Sequence, residues 1–223
     1  MDASEPGLDP GAVPAEGAIA AEVREEFPEL RLLWLSAPAV TGRSPRGVRE
    51  RLRGMSDRFR GSHAVTMRQA PVPWAYRVFY RHIGLDPDAD RTPVEAAALT
   101  RLIKGAFKSE GILDDALLIA LMETGVPIWA LDADRAAPPL EIRSSGDGER
   151  LGRTDEVLPL PAGRLVVADR EGPLAVLFGD LAPGHGVTKR TRRMILFSIQ
   201  VAGVPTIHVE EALHGCLDVL AAA

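Results

Sequence analysis

Two short stretches hold most of the residues able to do chemistry. GVPIWALDAD, Gly125 to Asp134, reads as a helix end, a turn and an apolar strand closed by two acids. Further on, GHGVTKRTRRMILF, Gly184 to Phe197, sets Lys189, Arg190, Arg192 and Arg193 between Gly/Thr-rich turn residues and an apolar strand. Burying that many unpaired cations is too costly, so they must face water or a polyanion. Asp132 and Asp134 occupy alternate positions, which on a strand share a face and would suit acid–base work. The plainer reading is two solvated or capping acids in a turn. His185, in Gly-His-Gly beside the cations, is either a phosphate or ribose contact or a flexible surface histidine.

Composition bounds the rest. The chain has 223 residues, 46% of them apolar and 26% charged, and this suits one large soluble domain or a domain with an appendage. No apolar run reaches the length of a membrane span, and the N-terminus lacks the pattern of a signal peptide, so a cytoplasmic protein is expected. Cys216 is the single cysteine, which excludes an internal disulfide and a cysteine-rich zinc site. The five histidines form no metal-ligand pattern, and no cofactor is implied. Net charge is −5, unevenly spread. Residues 43–108 carry fourteen bases against six acids, a local excess of eight positive charges. That excess is either a phosphate-binding face or a set of solvated helix faces.

The elements that must position these residues follow from periodicity. Residues 1–17 are rich in Pro, Gly and Ala and acidic, and read as a flexible tail. Ile19, Val23 and Phe27 recur at helical spacing, and LRLLWLSA (30–37) reads as a buried strand. Ser44-Pro45 is read as an N-cap and first helical position of a basic helix to about Phe59. Tyr76, Phe79, Tyr80 and Ile83 form the apolar stripe of another helix, stopped by Gly84. Thr92-Pro93-Val94-Glu95 is a capping box opening a helix with Leu99, Leu102, Ile103 and Ala106 inward. A buried helix follows from Asp115 to Met122. Strands are expected at 127–131, 140–143, 164–168, 174–178 and 194–201. Val209, Leu213, Cys216, Leu217 and Leu220 define a closing helix, with Cys216 a small core residue. Helices first and strands later make an α+β domain. Dinucleotide, phosphate-loop, nucleophile-elbow and zinc-protease motifs are all missing.

From about Arg77 to Val201 the order of motifs resembles the tRNA-binding and editing domain of the bacterial phenylalanyl-tRNA synthetase β chain and its freestanding relatives. The matching stretches are RVFYRHIGLDPDADR (77–91), TPVEAAALTRLIKG (92–105), LDDALLIALMETGVPIWALDAD (113–134), Gly148 to Leu151, Ala168-Asp169 and Gly186 to Thr191. The resemblance implies a three-layer α+β fold with a β-sandwich flanked by helices, a single domain over 18–223 whose best-matched core is 77–201. It implies hydrolysis of mischarged aminoacyl-tRNA in trans, with the acceptor end of tRNA as partner and neither DNA nor membrane involved. Thr188, Thr191 and Asp132 would be catalytic, Trp129, Pro127, Leu118, Gly186 and Phe197 would line the pocket, and Lys189, Arg190, Arg192, Arg193 and His185 would hold RNA. The alternative for both threonines is that they cap a turn. An aminoacyl ester is labile enough for positioned water and a few donors to suffice.

The chain departs from the family pattern at three places. Trp129 stands where the synthetase has histidine, Leu118 where it has asparagine, and Leu196-Phe197 where it has an acid. A site so apolar would leave a tyrosine hydroxyl unpaired, so an apolar amino acid is the expected substrate. A non-catalytic RNA-binding module of the same fold, or a protein binding a small apolar ligand or partner, are the alternatives.

Overall fold

The structure is a computed structural model and describes residues 8–9, 11–153 and 157–223. Helices and mostly antiparallel strands are both present, as an α+β chain requires. The described residues group into two compact units, one of Val13–Ala39 with Trp129–Gln200 and one of Val40–Ile128 with Val201–Ala223 and the short stretch at Leu8, Asp9, Gly11 and Ala12.

The first unit is built on sheets. β1 (Ala15–Glu16), β2 (Ala18–Ile19), α1 (Ala21–Glu26) and β3 (Arg31–Pro38) come first. β4 (Ile128–Asp132), a 3-10 turn (Ala133–Arg135), β5 (Glu141–Ser144), β6 (Arg150–Leu151), β7 (Leu158–Pro159), β8 (Leu165–Asp169), β9 (Gly172–Val176) and β10 (Arg193–Gln200) follow. One four-stranded sheet runs β1-β3-β10-β4, another β2-β5-β8-β9, and β6 pairs with β7. β10 lies antiparallel to β3 in unbroken register from Arg193↔Pro38 to Gln200↔Arg31. Its residues from Met194 to Ile199 are all buried, the near-continuous apolar pattern of a central strand. The five strands expected after Gly125 are present within a residue or two, and β6 and β7 were too short to show in the sequence.

The N-terminus differs from expectation. Residues 1–7 and 10, part of the expected tail, lie outside the described residues. Ala15 and Glu16 pair with Trp34 and Leu33, and Arg31 forms an ion pair with Glu16 at 2.8 Å. Ile19 sits in β2 beside Ile142, not in a helix; the backbone must stay extended there to serve both sheets. At Gly17 a Cβ would stand 2.7 Å from the Leu32 side chain and 2.8 Å from the Leu140 carbonyl.

The second unit is helical: α2 (Arg46–Arg58), α3 (Gly61–Met67), α4 (Pro71–His82), α5 (Pro93–Lys104), α6 (Ile112–Thr124) and α7 (Thr206–Ala221). α6 packs on α7, and α2 and α5 on α6. Pro45, not Ser44, is the N-cap of α2. Ser44 is buried and donates its hydroxyl to Asp115, which also accepts from Ser109 Oγ at 2.5 Å and Glu110 N at 3.1 Å. The capping box of α5 is formed, with Glu95 accepting from the Thr92 backbone at 3.3 Å.

The inward stripe assigned to α5 is corrected. Val94, Glu95 and Ala98 are buried, whereas Leu102 and Ile103 are exposed at 41% and 75%. The cause is Glu95, which turns inward to meet Arg77 of α4 at 2.6 Å and Arg68 at 2.7 Å. Arg77 also reaches Asp88 at 2.9 Å. These pairs and Arg46–Glu50 use acids already counted within residues 43–108, so among the described ion pairs Arg51–Glu123 alone draws on the local basic excess.

Candidate functional site

β4 and the loop before β10 are tied together by backbone. Asp132 N donates to the His185 carbonyl at 2.8 Å, and Leu131 bridges Gly186. The loop then closes a β-turn in which Thr191 N donates to the Thr188 carbonyl at 3.1 Å. The two central residues of that turn are Lys189 and Arg190, so turn geometry itself pushes both cations outward. Arg192 and Arg193 are exposed as well; Arg193 donates to Ser36 Oγ at 3.0 Å. Lys189, Arg190 and Arg192 make no ion pair among the described residues.

Inside the turn the hydroxyls are ordered. Thr191, 8% exposed, donates to Asp132 Oδ2 at 2.6 Å and accepts from the Thr188 backbone at 2.9 Å. Thr188 Oγ1 lies 3.3 Å from Thr191 Oγ1 and accepts from Arg190 N at 3.2 Å. Asp132 is also buried, and its Oδ1 accepts from Asp134 N at 3.0 Å. The structure therefore brings the three residues expected to be catalytic into one hydrogen-bonded chain. The local bonds among these cap turns, and the Thr191–Asp132 bond ties the loop to β4, so the arrangement holds the loop in shape whatever else it does.

The residues expected to line a pocket fall in both units. Trp129 stacks on Phe197, centroids 5.5 Å apart and planes 14° apart, and meets Phe178 edge-on at 5.8 Å. Phe197 is 1% exposed and serves as core beneath that tryptophan. Gly186 has open space where a Cβ would be, with only Leu181 Cδ1 at 3.9 Å. Pro127 and Leu118 belong to the second unit. Leu118 borders a cavity of about 220 Å³ there, with Thr100, Lys104, Phe107, Asp114 and Asp115. Burial, then the neighbouring charges of Glu110 and Asp115, hold the Asp114 carboxyl above its ordinary range.

A cleft of about 310 Å³ in the first unit was not foreseen, except through His185. It is lined by Asp134 and Arg135 from the 3-10 turn, Ala136, Ala137, Arg153, Glu171 and His185. His185 is not a surface residue; it is 2% exposed, and its Nδ1 lies 3.0 Å from the Pro183 carbonyl. Arg153 forms ion pairs with buried Asp169 and, at 2.9 Å, with Glu171. Asp169 also accepts from Ala137 N at 2.7 Å and Glu171 N at 2.8 Å. Asp169 thereby fixes one wall of the cleft, and Ala168-Asp169 at a strand end was the only signal for it. Among the described residues no group of three or more His, Cys, Asp or Glu could hold a metal, and no helix is long and apolar enough to cross a membrane.

No protein-family model matches the chain. Parts of it are similar to curated phenylalanine–tRNA ligase β subunits. The subunit of Mannheimia succiniciproducens is 39% identical over 99 residues, 43% of this chain and 12% of the relative. That of Haemophilus influenzae is 37% identical over 81 residues, 35% and 10%. The Xanthomonas oryzae subunit is 34% identical over 118 residues, 52% of this chain and 14% of its own length. The similarity relates the chain to a limited segment of that subunit, since it spans between a tenth and a seventh of these relatives.

Proposed function

We propose that this chain binds the acceptor end of a tRNA and hydrolyses a mischarged aminoacyl ester in trans. The observation that carries the reading is the Thr188–Thr191 turn, which presents Lys189 and Arg190 outward while its hydroxyls run to buried Asp132. Exposed guanidinium and ammonium groups on a rigid turn suit phosphate oxygens, which position a nucleic acid without reading its sequence. The similarity to segments of a tRNA-ligase subunit supports RNA as the polyanion.

In this reading Thr191 carries no free proton, because its hydroxyl is committed to Asp132. Thr188 is the hydroxyl able to turn outward and donate to an ester carbonyl, stabilising the oxyanion as water adds. Asp132 holds Thr191, and Thr191 holds Thr188, so the pair position the donor. Trp129, with Phe178 at its edge, supplies an apolar wall for the side chain to be removed.

The second reading, an RNA-binding module without hydrolysis, is favoured by one observation: every threonine hydroxyl contact is already satisfied, within the turn or by Asp132. Purified protein incubated with a panel of tRNAs, each charged with a non-cognate amino acid, separates the two. Selective release of one amino acid supports the hydrolase. Salt-dependent binding of uncharged tRNA with no release on any member supports the module.

A further inference from the structure

We propose that the ester is hydrolysed at the edge of the cleft beside the β4 turn, next to the Thr188–Thr191 turn, and that His185 Nε2 is the base that takes the proton of the attacking water. The proposal rests on the hydrolytic reading above. Its starting point is the tautomer of His185. Nδ1 lies 3.0 Å from the Pro183 carbonyl, and a carbonyl only accepts, so Nδ1 carries the hydrogen. The lone pair of the neutral ring is then on Nε2. That atom has no hydrogen-bond partner among the described residues, although the residue is 2% exposed and lines the 310 Å³ cleft. Nε2 is not among the fully buried unpaired atoms, so its lone pair opens on the cleft, where a water can donate to it.

The ring is rigidly carried. His185 N donates to the Ala182 carbonyl at 3.0 Å, and its own carbonyl accepts from Asp132 N at 2.8 Å. The backbone that holds the base is therefore bonded directly to the residue anchoring the threonine turn. Asp134 and Arg135 line the cleft from the 3-10 turn, together with Arg153 and Glu171, and Arg153 Nη1 donates to the Arg135 carbonyl at 3.4 Å. Arg153 is occupied by Asp169 and Glu171, whereas the Arg135 side chain has no partner among the described residues. A free guanidinium at this position offers a second donor, beside that of Thr188, to a developing oxyanion. Asp134 offers a carboxylate to the α-ammonium of an aminoacyl group.

The step balances as follows. The water oxygen bonds to the ester carbonyl carbon, and the water proton passes to His185 Nε2. The tetrahedral intermediate collapses, the carbon–oxygen bond to the ribose breaks, and the Nε2 proton passes to the departing ribose oxygen. Free amino acid and intact tRNA leave, and the ring returns to its starting tautomer.

The test uses the full chain and the mischarged tRNA that wild type deacylates fastest. His185→Asn keeps a donor for the Pro183 carbonyl but has no base. Its single-turnover rate is expected to fall at least about a hundredfold, with tRNA Kd and melting temperature unchanged. The acid limb of the wild-type pH–rate profile should vanish, and added imidazole should restore part of the rate. A rate within threefold of wild type with the acid limb intact overturns the base while the hydrolytic reading stands. A wild type inactive on every mischarged tRNA removes both, and that is read without any variant. Should His185→Asn fail to fold, nitrogen-15 NMR of the wild-type imidazoles decides: a hydrogen on Nε2 in place of Nδ1 overturns the proposal.

Discussion

Thr191 donates its hydroxyl to Asp132 across 2.6 Å although 59 residues separate them, and both side chains are buried. Replacing Thr191 with valine leaves Asp132 Oδ2 and the Thr188 amide without partners, while Asp132 Oδ1 keeps the Asp134 amide. A cost of about 1–3 kcal/mol is expected from those two groups, read by chemical denaturation. Thr191→Ser should be close to wild type. If the turn also presents cations to RNA, Thr191→Val weakens tRNA binding, whereas Thr188→Ala slows ester hydrolysis and leaves affinity alone.

Alanine at Lys189, Arg190, Arg192 and Arg193 removes four exposed charges. Binding to tRNA should weaken, and the slope of log K against log salt should become shallower by up to about three units. Stability should stay within about 0.5 kcal/mol, as expected of surface positions. An unchanged slope would mean that RNA, if bound at all, lies elsewhere.

Glu95 and Arg77 meet at 2.6 Å with both side chains nearly inaccessible. Removing Glu95 leaves buried Arg77 with the exposed Asp88 as its one remaining carboxylate and opens the α5 capping box, and Glu95→Ala is expected to cost about 3–5 kcal/mol. The double replacement Arg77→Met with Glu95→Leu should recover much of that loss, because no buried charge is then left alone. Urea midpoints of the three variants measure both quantities.

Arg143, through a hydrogen bond and its charge, together with the Gly146 amide, holds the Glu149 carboxyl below its ordinary range. The unfolded chain therefore takes up the proton first as pH falls. Wild type should exceed Glu149→Gln in stability at neutral pH. The difference should shrink from about pH 4.3 downward and vanish once the folded carboxyl is protonated. Denaturation at pH 7 and at pH 3 gives the comparison.

Cys216 is fully buried in α7, and burial pushes its thiol up to about 12. An aromatic disulfide reagent should react only at the rate of unfolding, and denaturant should release one thiol per chain.

Where a side chain's fate is decided by its own neighbours along the chain, the sequence was legible. β10 and β3 declared themselves by unbroken apolar runs, and the α5 capping box by residue types three apart. The outward set of Lys189 and Arg190 followed from the cost of burying charge. Contacts between distant segments were not legible. His185 looked like a mobile loop residue because nothing in Gly-His-Gly announces that Pro183 will take its ring hydrogen. Arg153 and Asp169 are 16 residues apart and meet only in the folded chain. α3 buries no residue fully, so it leaves no periodic apolar trace.

The pairing of Ala15 and Glu16 with β3 has a practical side. Those two residues close the outer edge of a strand whose sequence is RLLWLSAP. A chain shortened to begin at residue 18, where composition alone would place the start of the folded part, would bare that edge to solvent. An apolar strand with open amides is a template for other copies of itself, so such a protein should precipitate on expression while one beginning at Leu8 stays in solution.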